Sequence, residues 1–384
     1  MDNNVYYEFG YDVFGPTLYG FSRWLKNCFH EKKYNKVFFL ARDGYLMEKA
    51  FQIVNDQKNI TVEYVYFSRK SIRQALFWKC KDYQETLKYM PDSHFLSAGG
   101  ILDFYGFSLE EQTELAERYK LELNKDYAVS ELNCNQVIFN LYDNIKDSIC
   151  NKSKAQYDLL IRYFEQIGMT GECAIVDIGW LGNMQYYLEE FIRLCDLEVS
   201  LDGYFFGIYP TKQIKGNAFG YMFSLQNLKL RKSILCFFGI CERLFQSREG
   251  STKGYIVQEQ IVKPLIDKYE YNDEIELKEY IISLQTGALK YVEEHKNENV
   301  ADEKLIKKFV RFGKWPTLKQ LKLFQGFYNV DGIKVYYLPQ KSIFKFSVRE
   351  LIHGLSNSTW KTGYMKKLCK LPFPYYWIYC LVRK

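Results

Sequence analysis

The sequence predicts an α/β fold: a mostly parallel, Rossmann-like sheet with a large helical insertion and a helical C-terminal part. Two observations carry this expectation. Short apolar runs alternate with helical periodicity near the N-terminus and again after residue 168. Three of those runs end in junctions rich in charge or glycine that lead into a helical pattern, as parallel strands with crossovers do.

The elements follow in order. Phe14, Leu18, Phe21, Leu25 and Cys28 recur at spacings of four and three, the apolar stripe of one helix. Gly15-Pro16 falls in its first turn, where a missing N–H costs nothing. Residues 36–40 read as a buried strand, 45–54 as a helix and 61–68 as a second strand. Residues 70–167 read as mainly helical, too long for a simple crossover and suited to cover a sheet edge. Ser108 and Glu111 form a capping box there, and a long periodic segment from about 135 to 167 stops at Gly168. "ECAIVDIG" (172–179) is a third strand, "NMQYYLEEFIRLC" a helix, and "LEVSLDGYFFGIY" a fourth strand. The expected organisation is an α/β catalytic core from 1–69 and 168–260, a helical insertion at 70–167, a helical region at 261–330, and a C-terminal segment at 331–384 with a basic, aromatic tail.

Composition narrows the class. The chain has 384 residues, 47% hydrophobic, enough for a sizeable core. Its net charge of +6 is mild and 46 acidic residues balance most of its cations, which speaks against nucleic acid and leaves phosphate-bearing ligands or an anionic membrane surface open. Ten cysteines without a CxxC pair, and only four histidines, argue against zinc and for reduced thiols in a cytoplasmic protein. The N-terminus is not a signal peptide, and no run reaches the ~20 apolar residues of a spanning helix. The tail "WKTGYMKKLCKLPFPYYWIYCLVRK" combines lysines with aromatic rings, as membrane-interface segments do; the bland alternative is a segment packed on the body with solvated lysines.

In open parallel sheets ligands bind beyond the carboxyl ends of the strands. Three such ends carry unusual residues: Arg42-Asp43-Gly44, Ser68-Arg69-Lys70, and Asp177-Ile178-Gly179-Trp180-Leu181-Gly182-Asn183. Gly44 and Gly182 allow a close backbone approach. Arg42, Arg69 and Lys70 supply charge suited to a phosphate or diphosphate. Asp43 and Asp177 are candidates to hold a divalent metal or orient a hydroxyl. The alternative is that both acids cap helices and pair with nearby arginines. A second cluster surrounds "SREGS": Glu242, Arg248, Glu249 and Lys253, read either as an acceptor- or phosphate-binding loop or as a polar hairpin. No nucleophile elbow, Walker or dinucleotide motif is present.

The ordered set "YEFGYDVFGPTLYGFSRWL", "VFFLARDGYLM", "YVYFSRKS", "VDIGWLGNMQ", "ERLFQSREGSTKGY" and "STWKTGYMKKL" resembles a domain of bacterial surface-polysaccharide biosynthesis proteins often labelled haloacid-dehalogenase-like. More closely, it resembles the glycan phosphoribosyltransferase domain of bacterial ribofuranosyltransferases. The resemblance implies transfer of 5-phosphoribose from phosphoribosyl diphosphate to a lipid-linked glycan of O-antigen or capsule, with Mg²⁺ near Asp43 or Asp177. It implies a donor site from Arg42, Gly44, Ser68, Arg69, Lys70, Gly179, Trp180, Gly182 and Asn183, with Trp180 stacking on the acceptor sugar. Asp43, Asp177 and Glu242 are the candidates for the general base, and Arg248, Glu249 and Lys253 for acceptor contacts. In that family a phosphatase domain precedes "YEFGYDVFGP"; here almost no chain does, so a stand-alone cytoplasmic transferase with a separate phosphatase is expected, with peripheral contact at the inner face of the plasma membrane left open. The sequence departs from ordinary phosphoribosyltransferases, because "VDIGWLGN" has one acid and no Thr.

A haloacid-dehalogenase phosphatase would need an acid two positions after Asp43, and Tyr45 stands there. A phenol with a reference pKa of about 10 is a poor replacement. The phosphatase and a non-catalytic glycan-assembly module remain the competing readings.

Overall fold

The computed structural model describes residues 3–382 apart from 33, 35, 57–59, 92 and 332. Its strands, in chain order, are β1 (Lys36–Leu40), β2 (Thr61–Val65), β3 (Phe95–Ser97), β4 (Asp126–Ala128), β5 (Gly171–Trp180), β6 (Val199–Ile208), β7 (Ala218–Gly220), β8 (Thr252–Gln258), β9 (Ile261–Ile266), β10 (Tyr328–Asp331) and β11 (Ile333–Tyr336). Five of them form the central sheet in the order β2-β1-β5-β6-β7, every neighbouring pair parallel. The fold is therefore α/β around an all-parallel, Rossmann-like sheet. The other strands pair antiparallel as β3–β4, β8–β9 and β10–β11.

Strand periodicity sorts the core into two layers. Val37, Phe39, Ala174 and Val176 enter one apolar cluster with helices Gly15–Glu31 and Gly44–Val54. Phe38, Leu40, Cys173 and Ile175 enter the other, against helices Gln136–Gln166 and Asn183–Leu194. Burial on both faces explains why these strands read as continuous apolar runs. On helix Gly15–Glu31, Leu18, Phe21 and Leu25 are fully buried, as is Phe14 at the end of the π-helical turn before it; Cys28 is half-buried, and Pro16 sits in the first turn.

Several boundaries differ from expectation. The second strand stops at Val65, so residues 66–68 are free to turn toward the sheet's carboxyl edge. The edge strand β7 is only three residues long and has no periodicity to read. The 70–167 region has its own core, including Phe77, Ile101, Leu102, Ile138 and Leu141. It is helical, with the Ser108 capping box in place, but also holds the β3–β4 ribbon. The region after residue 260 is helical only from Ile275 on, because β9 pairs with β8.

All ten cysteines are free. Among the described residues no helix is long and apolar enough to cross a membrane.

Candidate active site

The sheet order reverses between β1 and β5. The chain leaves β1 through helix Gly44–Val54, which packs in one layer, and leaves β5 through helix Asn183–Leu194, which packs in the other. Connections that diverge to opposite faces open a crevice at the carboxyl ends of the two strands. A cavity of about 770 Å³ lies there.

The cavity wall gathers residues from four distant stretches. Arg42 and Asp43 follow β1, Ser68 and Arg69 follow β2, and Asp177, Gly179, Trp180 and Asn183 come from the end of β5 and the next helix. Glu242 joins from helix Phe238–Phe245. The β5 turn is unusual backbone. Gly179 has φ +96°, Gly182 has φ +70°, and between them Trp180 holds φ +62°, a region few non-glycine residues occupy. A side chain at Gly179 would run into the carbonyl of Gly207 on β6, so the glycine lets the strand pair persist to the turn. Helix Asn183–Leu194 starts at Gly182 without a side-chain cap, and its first N–H groups lie at the cavity edge.

Asp43 and Asp177 do not behave as caps or as members of ion pairs. Asp43 occupies the position before helix Gly44–Val54 but makes no capping hydrogen bond, and its Oδ1 is buried without a partner. Asp177 lies within β5 and is 7% exposed. Burial raises the pKa of Asp43, and the charges of Arg42, Arg243 and Arg69 offset this only in part. Burial raises Asp177 as well, helped by the negative charge of Asp43 and opposed by the backbone N–H groups of Ile178 and Gly179. Glu242 is raised by burial and by Asp43, while the indole of Trp180, donating to Oε1 at 2.9 Å, opposes the shift. Asp177 and Glu242 thus each respond to the charge of Asp43, and all three carboxyls are shifted toward their neutral forms.

The cations divide. Arg42 donates to Glu270 Oε1 at 2.6 Å, so its charge is already matched. The other Glu270 oxygen lies 3.7 Å from Arg243. Arg243 is fully buried and also donates to Asn329 Oδ1 and the Tyr328 carbonyl. Arg69 reaches the cavity and has no ion-pair partner among the described residues.

Other expected site residues lie away from the wall. Lys70 pairs with Asp103 at 2.6 Å. Gly44 packs against Phe39 of β1, where a Cβ would lie 2.8 Å from its carbonyl carbon; it serves helix–strand contact. Gly182 faces Ile214 and supports the turn from behind. Arg248 donates to the Tyr45 hydroxyl, Glu249 accepts from Tyr64 and Tyr66, and Lys253 pairs with Asp267 at 2.7 Å. These three brace the outside of β1, β2 and the β8–β9 hairpin rather than the cavity. Ser68 lines the wall, but its hydroxyl caps the next helix turn and donates to the Thr252 carbonyl. Trp180 lies nearly parallel to Phe223, so one ring face is covered by protein and its N–H serves Glu242.

Sequence reading missed Gln246, Glu270, Asn329, Ser356, Asn357 and Thr359, all of which line the cavity. Gln246 follows Glu242 by one helical turn, a signal that was available; the others arrive by tertiary packing alone. Two acceptors in the wall, Asp43 Oδ1 and Gln246 Oε1, are buried and unsatisfied. Among the described residues no group of three or more His, Cys, Asp or Glu is placed to hold a metal. Mg²⁺ in phosphate-handling sites is commonly bound by only one or two carboxylates together with substrate oxygens and water, and Asp43 with Asp177 fits that donor set.

Neither a family model nor a curated protein sequence matches this chain. The resemblance of its motifs stands on the residues quoted above.

Proposed function

We propose that the protein is a glycosyltransferase of surface-polysaccharide (O-antigen or capsule) biosynthesis. It moves 5-phosphoribose from phosphoribosyl diphosphate to a hydroxyl of a lipid-linked glycan, in the cytoplasm at the inner face of the plasma membrane. The observation that carries this reading is the convergence of Asp43, Asp177, Glu242 and Arg69 on one cavity at the strand-order reversal.

The charges of the wall constrain how such a donor enters. Arg42 and Arg69 face four carboxyls: Asp43, Asp177, Glu242 and Glu270. A diphosphate would be repelled by that excess unless a cation came with it. Asp43 and Asp177 would hold Mg²⁺, which when bound neutralises the departing diphosphate. Arg69 and the N–H groups of the uncapped first turn of helix Asn183–Leu194 bind the diphosphate oxygens. As the anomeric bond breaks, negative charge builds on the leaving group, and prepositioned donors stabilise it most. Glu242 is the general base for the acceptor hydroxyl. Its raised pKa suits proton uptake near neutral pH, and the Trp180 N–H fixes its orientation. The 5-phosphate is removed by a separate phosphatase. The Tyr45 hydroxyl, where a dehalogenase-type phosphatase would carry its acid, accepts from Arg248.

The test is incubation with phosphoribosyl diphosphate, Mg²⁺ and a synthetic lipid-linked glycan. The expected result is stoichiometric diphosphate release and a phosphopentosyl mass gain on the glycan. Release of inorganic phosphate from phosphosugars alone would favour the phosphatase, and no turnover a non-catalytic module.

A further inference from the structure

We propose that the segment Lys361–Val382 is a docking surface for an anionic lipid bilayer. No acidic residue follows Glu350, whereas Lys361, Lys366, Lys367, Lys370, Arg383 and Lys384 do; these six cations equal the formal net charge of the whole chain, +6. The rest of the protein is balanced, so the excess is local. Lys366, Lys367 and Lys370 form no ion pair among the described residues. Lys366 donates instead to the Leu371 carbonyl at 2.9 Å. Lys370 and Lys322 lie close enough to Lys367 to repel its charge.

The same segment exposes large apolar side chains. Leu371, Phe373, Trp377, Leu381 and Val382 are 53–79% exposed. The helix that carries the last three, Tyr375–Val382, is anchored to the body. Tyr375 and Tyr379 are buried, and the Tyr376 hydroxyl is 2.9 Å from Ser233 Oγ. Its outward side is therefore a fixed apolar surface beside unpaired lysines. An acidic protein or a nucleic acid would match the lysines but leave leucine, phenylalanine and tryptophan in water. An anionic bilayer matches both, with rings and aliphatic groups among the acyl boundary and ammonium groups at the phosphates.

A second hollow of about 290 Å³ lies at the base of this surface, between Lys314, Trp315, Lys366 and Phe373. Neither lysine has a carboxylate partner among the described residues, and the Lys314 ammonium rests on the Tyr376 ring. This hollow takes a lipid headgroup phosphate. The chain just before the segment supplies Ser356, Asn357 and Thr359 to the wall of the larger cavity. Docking would thus hold that cavity near the lipid that bears the acceptor; this last link alone rests on the transferase reading.

The experiment is sedimentation of the full chain with vesicles of phosphatidylcholine alone or mixed with phosphatidylglycerol. Binding is expected only to the anionic vesicles and should weaken with salt. The triple variant Lys366→Gln, Lys367→Gln, Lys370→Gln should weaken it by roughly 100-fold, at about fivefold per lysine. Trp377→Ser with Leu381→Ser should weaken it by roughly tenfold or more and leave the salt dependence in place. Lys370, Trp377 and Leu381 are exposed and Lys366 and Lys367 half-buried, so unchanged melting temperatures are required to verify folding. The proposal is overturned if the full chain ignores anionic vesicles. It is overturned equally if the Trp377, Leu381 variant binds as well as the parent, the behaviour of a plain polycation. The readout needs no turnover: an inactive protein that binds vesicles sinks only the transferase reading, and an active one that does not sinks only this inference.

Discussion

Two groups of charge meet at the large cavity, one of them reaching behind its wall through Arg243, and they behave oppositely. Arg42, Glu270 and Arg243 close on one another, with Arg42 at 2.6 Å and Arg243 at 3.7 Å from the two Glu270 oxygens. The pairing holds the Glu270 carboxyl below its ordinary range despite burial. Asp43, Asp177 and Glu242 line the cavity with no ion pair among the described residues, Asp177 and Glu242 each feel the charge of Asp43, and all three are pushed upward. Burial alone does not decide whether a charge stabilises a fold; its partner does. The first group is a structural clamp between the core and the C-terminal region. The second keeps repulsion in place that a cation or protons would relieve.

The largest contrast is expected in activity. Glu242→Gln or Asp177→Asn should cost about 10²–10⁴-fold in diphosphate release under the proposed function, the usual worth of a positioned acid or base. Neither should lower the melting temperature at neutral pH, since each removes repulsion while keeping shape. A loss of folding in these variants would erase the distinction between the groups. Arg243→Leu should do the reverse, destabilising the fold by about 3–5 kcal/mol in denaturant unfolding, because Glu270 loses a buried cation 3.7 Å away and Asn329 and the Tyr328 carbonyl each lose one of their hydrogen bonds.

The pH dependence of stability should separate the groups by sign. For Asp43, Asp177 and Glu242 the folded pKa lies above the unfolded value of about 4. Their contribution is therefore full below that pH and is lost as pH rises toward neutrality. For Glu270 the folded pKa is lowered, so its contribution is present above about pH 4.3 and is lost as pH falls through the folded value. Asp177→Asn should thus gain on the parent between pH 5 and pH 8, by about 1 kcal/mol or more, when unfolding is followed at both pH values. Glu270→Gln should show no such gain. The smallest effect is expected at Lys253→Ala. Its pair with Asp267 is close to half exposed on both sides, so stability should stay within about 0.5 kcal/mol and turnover should not change.

Much of this was legible in the sequence because the relevant signals are local. β1 was readable at 36–40 because four of its five residues are apolar and buried, and the helix after it because its apolar stripe faces one layer. The convergence of Asp43 and Asp177 followed from the rule for parallel strand ends. The arginine roles were not legible. Arg42 and Arg69 look alike in a string, and only the arrival of Glu270, more than two hundred positions later, takes Arg42 out of play. The "SREGS" cluster misled for a related reason: charge density marks a polar turn whether or not it faces a cavity, and Arg248, Glu249 and Lys253 turn out to face tyrosines and an aspartate. Of the wall supplied by Asn329, Ser356, Asn357 and Thr359, only Thr359 falls within a quoted motif, "STWKTGYMKKL", and nothing in that motif places it at the cavity.

The central claim is that the unpaired carboxyls form a donor site completed by a cation. The most direct measurement is calorimetric titration of phosphoribosyl diphosphate into the parent protein and into an Asp43→Asn, Asp177→Asn variant, with and without Mg²⁺. Binding by the parent only when Mg²⁺ is present, and none by the variant, is the predicted result. Equal binding without Mg²⁺, or undiminished binding by the variant, would contradict it.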